Sequence, residues 1–144
     1  MAKWEMLENI EEDLESKEKD IEENKEELEQ FDRRISKIDS AIKKLEGDDA
    51  IKDSVSEKKK EASKEKEEAE KKRKELLEEV ENYENELAKL EETNARSQKQ
   101  VEALIGLGED MSDVAALIDS RAAKIASAQN KLKEYRSKLE KKLP

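Results

Sequence analysis

Acid–base and nucleophilic chemistry have few candidate residues in this chain, because it contains neither histidine nor cysteine. The residue types that remain for moving a proton or attacking a substrate are Glu, Asp, Lys, Tyr and Ser. In this sequence they follow one another along polar stretches and form no separate constellation. We therefore expect no catalytic residues, no enzyme activity and no cofactor.

The acidic turn Gly47-Asp48-Asp49, followed by Asp53, is the best candidate for a metal site. It lacks the alternating oxygen ligands and the closing Glu of an EF-hand. Di-iron sites in helical bundles use Glu-x-x-His pairs, which a chain without histidine cannot supply. Gly106-Leu107-Gly108 follows no strand and so lacks the context of a phosphate-binding loop. The sequence predicts neither a metal site nor a nucleotide site.

The elements that carry these residues follow a seven-residue apolar repeat. Apolar residues recur every seven positions and again three positions further on, which is the a/d pattern of a coiled coil. The pattern breaks at Gly47 and then restarts in the opposite direction. Its members before the break are Leu7, Ile10, Leu14, Ile21, Leu28, Phe31, Ile35, Ile38, Ile42 and Leu45, and after it Val55, Ala62, Ala69, Leu76, Val80, Tyr83, Leu87 and Leu90.

Folding the chain at Gly47 places the two apolar stripes against each other. Ile42 then lies opposite Val55, and Leu7 lies opposite Leu90. One layer, Asn24 with Arg73, is polar on both sides, and such a layer usually fixes the register of a coiled coil.

A third heptad segment begins at Met111 and folds back about Leu107, which places Ile125 beside Leu90. We therefore predict an all-α fold, a long antiparallel helical hairpin with a third helix that gives a three-helix section at one end. The whole chain, 1–144, forms one elongated domain. The predicted helices are 3–46, 50–105 and 111–143; the three-helix section lies near 3–22, 76–95 and 120–143, and a two-stranded arm spans 23–74.

Helix ends are marked by residues that favour caps. Gly47 and Gly106 stand where a left-handed C-cap is expected. Asp49 or Asp53 is the predicted N-cap of the second helix, and Asp110 or Ser112 that of the third.

Composition agrees with a long helical protein. Charged residues make up 49% of the chain and apolar residues 33%, with a net charge of −10, as in coiled coils. Disordered chains share this composition, but they keep no heptad register. No apolar run reaches the ~20 residues that span a bilayer, and the amino-terminal stretch is too acidic for a signal peptide. We expect a cytoplasmic protein without membrane insertion, and export by a system that reads a folded helical signal stays open.

Charge also bears on nucleic-acid binding. Acids and bases are interspersed without a basic groove, so direct binding to phosphates is disfavoured. The opposite possibility is an acidic inhibitor, of phage or mobile-element origin, that mimics a nucleic acid. Its acidic face would consist of Glu11, Glu12, Asp13, Glu15, Glu22, Glu23, Glu26, Glu27 and Glu29. The simpler interpretation is that these residues keep a rod in solution and pair with the basic segment 121–142.

The most informative candidate site is apolar. The register leaves residues 97–118 about two heptads beyond the start of the first helix. The predicted partner interface there is Trp4, Leu104, Ile105, Leu107, Met111, Val114, Leu117 and Ile118. Either this surface binds a protein partner, or a second copy of the chain, or Trp4 folds over it and closes the bundle. We expect a non-enzymatic coiled-coil interaction module: an adaptor, a secretion or assembly chaperone, or a subunit of a complex.

Overall fold

Three α-helices form the fold in a computed structural model, which describes residues 2–45 and 47–140. They are α1 (Ala2–Lys44), α2 (Asp49–Gly106) and α3 (Ser112–Glu140), and no strand occurs within the described ranges. The long helices α1 and α2 pack as an antiparallel hairpin, and α3 packs against both. The predicted all-α hairpin is confirmed. Residues 46 and 141–143, which the sequence placed in helices, lie outside the described ranges.

The turn between α1 and α2 is made by a glycine and an aspartate. Gly47 has a φ of 88°, a left-handed conformation that costs glycine little. Asp48 is the N-cap of α2, because its Oδ1 accepts a hydrogen bond of 3.4 Å from the backbone N–H of Ile51. The prediction of Asp49 or Asp53 was therefore wrong by one residue or more. The chain leaves the left-handed residue and enters the helix at once, so the first aspartate after Gly47 takes the cap.

The connection between α2 and α3 uses a different glycine from the one predicted. Gly106 is the last residue of α2, whereas Gly108 has the left-handed φ of 89°. The N–H groups of Gly108 and Glu109 donate to the carbonyls of Ile105 and Leu104 at 2.9 and 3.1 Å. These bonds satisfy carbonyls that the end of a helix leaves without partners. The helix thus includes Gly106 and ends there, and the left-handed residue follows two positions later at Gly108.

Asp110 fixes the conformation of Ser112, the first residue of α3. Its Oδ1 accepts hydrogen bonds from the hydroxyl and the backbone N–H of Ser112, at 2.7 and 3.2 Å. These bonds favour the ionised carboxylate and lower the pKa of Asp110. Of the two predicted caps, Ser112 is the first residue of α3 and Asp110 is the residue that holds it.

The core of the molecule is the section where all three helices meet. Its buried residues come from three stripes: Leu7, Ile10, Leu14 and Ile21 of α1; Leu76, Val80, Leu87 and Leu90 of α2; and Ile125, Ala128, Leu132, Tyr135 and Leu139 of α3. Full burial of one such large side chain is worth about 1.5–3 kcal/mol. This section therefore supplies most of the apolar stabilisation.

Between the core and Gly47, α1 and α2 form a two-helix arm. Leu28, Ala62 and Ala69 are buried along its seam. Lys66 and Lys59, which the register places opposite apolar residues, form ion pairs with Asp32 and Asp39 of α1. Their alkyl stems can thus cover the seam while the ammonium groups reach carboxylates at its edge. Leu28 and the two alanines are covered by the two helices alone, whereas Phe31, Ile35, Ile38 and Ile42 nearer the turn are half-buried.

Candidate protein-interaction surface

Five large apolar side chains are exposed where α2 ends and α3 begins. They are Leu104 and Ile105 of α2, Leu107 of the connecting loop, and Val114 and Leu117 of α3. Leu107 is 80% exposed and Leu117 is 49% exposed. We call these five residues the apolar end. All five belong to the predicted interface, and both helices contribute to the surface.

The remaining predicted interface residues lie at the inner limit of the apolar end. Ile118 is buried and Met111 is half-buried. Val101 of α2 is buried as well. Ile118 therefore belongs to the seam between α2 and α3 rather than to the exposed surface, because its side chain is already covered within the chain.

Trp4 marks where the three-helix core stops. Its ring is half-buried and packs against the core. The guanidinium carbon of Arg121 lies 4.0 Å from the ring centroid, within the range of a cation–π contact. Trp4 does not cover the apolar end, because all five residues of that surface are exposed with Trp4 in this position.

Asn94 was not singled out in the sequence, although it continues the a positions Val80 and Leu87 toward Val101. Its side chain is only 4% exposed, and its Nδ2 donates a 3.0 Å hydrogen bond to the carbonyl of Ile118. Its Oδ1 is buried with no hydrogen-bond partner within residues 4–45 and 47–140. The bond joins α2 to α3 directly beneath the apolar end. A polar residue at an a position was the available signal.

The predicted register residues Asn24 and Arg73 both make bonds between helices at the opposite limit of the core. The Nδ2 of Asn24 donates to the carbonyl of Ala69 at 3.0 Å, in the buried seam of α1 and α2. The Nε of Arg73 donates to the carbonyl of Leu139, near the end of α3. A cation at a helix C-terminus is favoured by the helix dipole. Buried asparagines thus stand at both limits of the three-helix core.

Acidic residues surround the apolar end. Glu102, Glu109, Asp110, Asp113 and Asp119 are all exposed, and Lys99 is the one base in the sequence from 97 to 119. The sign reverses immediately afterwards, since α3 continues with Arg121 and Lys124 and has eight bases against two acids over 121–142. The apolar end therefore carries a negative rim.

The polar groups of the core are engaged in structural contacts. The Tyr135 hydroxyl donates to the Leu14 carbonyl at 2.9 Å, and burial raises the pKa of Tyr135. The Tyr83 hydroxyl donates to Asp13 at 3.1 Å, and burial followed by this bond raises the pKa of Tyr83 to about 12. Both phenols stay protonated near neutral pH. Neither is prepared to act as a base.

Ion pairs tie α3 to its neighbours. Lys138 contacts Glu22 of α1, which lowers the pKa of Glu22 and raises that of Lys138. Arg136 lies 2.7 Å from Glu84 of α2. These contacts bring the basic face of α3 against acids of both other helices. They favour one orientation of α3 relative to the other two helices.

No group of three or more acidic side chains is arranged to hold a metal ion in the described part of the chain. None of its three helices combines the length and the apolar character needed to cross a bilayer.

A basic groove on the arm was also missed in the sequence. It is lined by Gln30, Arg33, Arg34, Lys37, Ile38 and Lys58. Glu65 lies 3.4 Å from Arg34 and neutralises one of its four bases. The spacing Arg33-Arg34-x-x-Lys37 on one helical face was the available signal. Attraction of anions to such exposed bases is weakened by salt, so this groove is a weaker candidate than the apolar end.

Comparison of the chain with protein-family models, with curated proteins and with solved structures gives no match.

Proposed function

We propose that this protein is a non-enzymatic coiled-coil interaction module of the cytoplasm: an adaptor, a secretion or assembly chaperone, or a subunit of a complex. It contacts a protein partner through the apolar end. The observation that carries the proposal is the exposure of five large apolar side chains at one end of an otherwise charged molecule.

The cost of leaving these side chains in water supports a binding role. Fully burying an exposed large aliphatic side chain is worth about 1.5–3 kcal/mol, and these side chains, 39% to 80% exposed, would each gain part of that. Clustered exposure of this kind usually marks an interaction site, whereas single exposed apolar residues need no explanation. Leu104 and Ile105 are adjacent in α2, and Leu107 follows them in the loop. The cluster thus fits a protein contact better than chance exposure.

The arm has a different part in this proposal. It extends the hairpin away from the apolar end and presents mainly charged side chains. Such a surface is suited to a spacer, or to a second and weaker contact. Binding at the apolar end and separation by the arm together describe an adaptor.

Site-specific crosslinking in cells tests the proposal. A photoreactive amino acid replaces Leu107 in one variant and the exposed arm residue Lys60 in a control variant. We expect a discrete protein adduct from position 107 and none of that size from position 60. The partner is then identified, purified and mixed with the wild-type chain and with Leu117→Asp. Equal adducts at both positions, or a complex that is insensitive to Leu117→Asp, would contradict the proposal.

A second candidate function is the acidic inhibitor. It is supported by the exposure of Glu12, Glu15, Glu23, Glu26 and Glu27 on α1, none of which lies within 4.0 Å of a basic group in the described chain. Competition separates the two functions. A complex that DNA or RNA displaces and that high salt abolishes supports mimicry. A salt-resistant complex supports contact through the apolar end.

A further inference from the structure

We propose that the partner's contact element is a basic amphipathic helix, which packs between α2 and α3 in line with α1 and completes a three-helix section there. This inference rests on the proposed function, and it adds the shape and charge of the partner.

The geometry of the helices indicates the shape. The described side chains of α1 begin at Trp4, which contacts Arg121 of α3. From Asn94 to Gly106, α2 extends further, for ~20 Å at 1.5 Å per residue. Over this length α2 faces α3, and both helices leave apolar side chains exposed. A helix of about 13 residues would cover this length.

The exposed residues lie on both α2 and α3. A third helix that packs in the groove between two helices contacts side chains of both. Leu104 comes from α2, and Val114 and Leu117 come from α3. Ile105 lies three heptads after Glu84, on the face of α2 that contacts Arg136 and turns away from α1. In the core, the same two helices present Leu87, Leu90 and Ile125 to α1, and these residues are buried. The apolar end thus repeats the surface that α1 covers elsewhere. An amphipathic helix with apolar residues at a/d spacing matches it.

Beneath this surface, α2 and α3 are already packed against each other in the absence of a partner. The Asn94 side chain donates to the Ile118 carbonyl at 3.0 Å, and Val101 and Ile118 are buried. The arrangement of α2 and α3 is therefore fixed at the inner end of the contact. A partner that docks on a preformed surface loses less free energy to ordering.

The charge of the rim indicates the partner's charge. In the core, acidic α1 lies against the basic stretch of α3, with Glu22 paired to Lys138. Toward the start of α3 the sign on this side is reversed, because Asp110, four heptads before Lys138, is acidic and Asp113 follows it. A helix that continues the line of α1 therefore needs basic flanks. A second copy docked through the same end would oppose acid to acid, so the rim disfavours a homodimer.

Designed peptides test shape and charge separately. The first is a fluorescein-labelled peptide of about 18 residues with Leu at a and d positions and Lys on its flanks. The second carries Glu in place of Lys, and the third keeps Lys but carries Ser in place of Leu. Fluorescence anisotropy reports binding to the full chain at physiological salt. Unlabelled peptides without tryptophan also allow the emission of Trp4, the one tryptophan in the chain, to report contact near its position.

Two variants locate the contact. Leu117→Asp is the test variant, and Ile51→Asp at the arm is its control, because both side chains are 49% exposed in the wild type. Both substitutions add one negative charge to the chain. We expect the basic amphipathic peptide to bind the wild type and Ile51→Asp alike. Leu117→Asp should weaken it by at least about tenfold, which corresponds to 1.4 kcal/mol. Leu104→Asp serves as a second test variant, and circular dichroism confirms that each variant is folded.

Each outcome separates this inference from the proposed function. Equal binding of the acidic peptide overturns the charge assignment, and binding of the serine peptide overturns the apolar contact. If no peptide binds while crosslinking at position 107 still identifies a partner, the helical partner is wrong and the interaction module stands. A homodimer seen by light scattering and lost in Leu117→Asp shows that a second copy occupies the surface, which also overturns this inference.

Discussion

The arm and the apolar end are both two-helix extensions of the same three-helix core, yet they treat their apolar residues differently. In the arm, Leu28 is 2% exposed and Ala62 is fully covered. At the apolar end, the corresponding contact leaves Leu107 and Leu117 in water. Two packed helices therefore cover the part of the arm's seam that lies near the core, but they leave the apolar end exposed.

The difference arises from the width of the apolar stripe. On α2 the arm places small residues such as Ala69 and long lysines such as Lys66 at a/d positions, so few apolar groups of that helix need cover. The apolar end adds Ile105 and Leu117 outside those positions. A stripe that spreads beyond a and d is typical of a helix that faces more than one neighbour. The wide stripe thus distinguishes a binding surface from a spacer.

The largest expected effect compares the same substitution at both extensions. Leu28→Ala removes a buried side chain from the arm and should lower the free energy of unfolding by about 2–5 kcal/mol. Leu117→Ala removes a half-exposed side chain and should cost less than about 1 kcal/mol. Denaturant unfolding followed by circular dichroism measures both. A similar loss in the two variants would show that the apolar end is packed rather than exposed.

Asn94 offers a second and smaller effect. Asn94→Leu removes a buried oxygen that lacks a hydrogen-bond partner among the described residues, a group that costs about 1–3 kcal/mol. We expect the variant to melt at a higher temperature than the wild type. Asn24→Leu, the matched change at the arm limit, breaks the bond to Ala69 and should gain less. A lower melting temperature for Asn94→Leu would show that its bond to Ile118 outweighs the unpartnered oxygen.

A third prediction concerns the boundary between the core and the apolar end. Arg121→Ala removes the cation above Trp4 and should cost about 0.5–1 kcal/mol, as for exposed cation–π contacts. The emission of Trp4 should change with it. Lys124→Ala, one turn further along α3, is the control and should leave the emission unchanged. Identical spectra for wild type and Arg121→Ala would mean that the contact does not form in solution.

The smallest effect is the titration of Tyr83, which lies in the three-helix core between the arm and the apolar end. In Tyr135→Phe, Tyr83 is the only tyrosine left, so tyrosinate absorbance reports its pKa directly. We expect a midpoint of about 12, because burial and the bond to Asp13 favour the neutral phenol.

The same shift links stability to pH. A pKa raised in the folded state gives stability that is complete below the ordinary value near 10 and is lost as the pH rises through the folded value. Tyr83→Phe should therefore lose less stability than the wild type between these two values. A midpoint near 10 in the titration would contradict the packing of Tyr83.

The sequence was sufficient to predict the hairpin, because the apolar heptad spacing that sets the register repeats along both helices. Leu7, Leu14 and Ile21 recur at the heptad interval, and all three are buried. The caps were less accurate. Several aspartates near Gly47 can serve as an N-cap, and only the conformation of the turn selects Asp48. Likewise, Gly106 and Gly108 can both adopt a left-handed φ, and the hydrogen bonds to Leu104 and Ile105 select Gly108.

The candidate site was harder to predict because exposure depends on where a third helix stops. Ile118 at an a position is buried, yet Leu104 and Val114 at d positions of the same seam are exposed. Heptad spacing alone cannot separate them. The contribution of Asn94 follows from its bond to a backbone carbonyl of another helix, which composition and spacing do not encode.

The continuity of α2 has a mechanical consequence. This helix runs for 58 residues from Asp49 to Gly106, or ~87 Å. It contains no proline, and its first glycine is its last residue, so it lacks the usual causes of a kink. A load applied near Gly47 is therefore transmitted along one unbroken lever to Leu104 and Ile105. Whatever holds the tip of the arm also sets the direction in which the apolar end points.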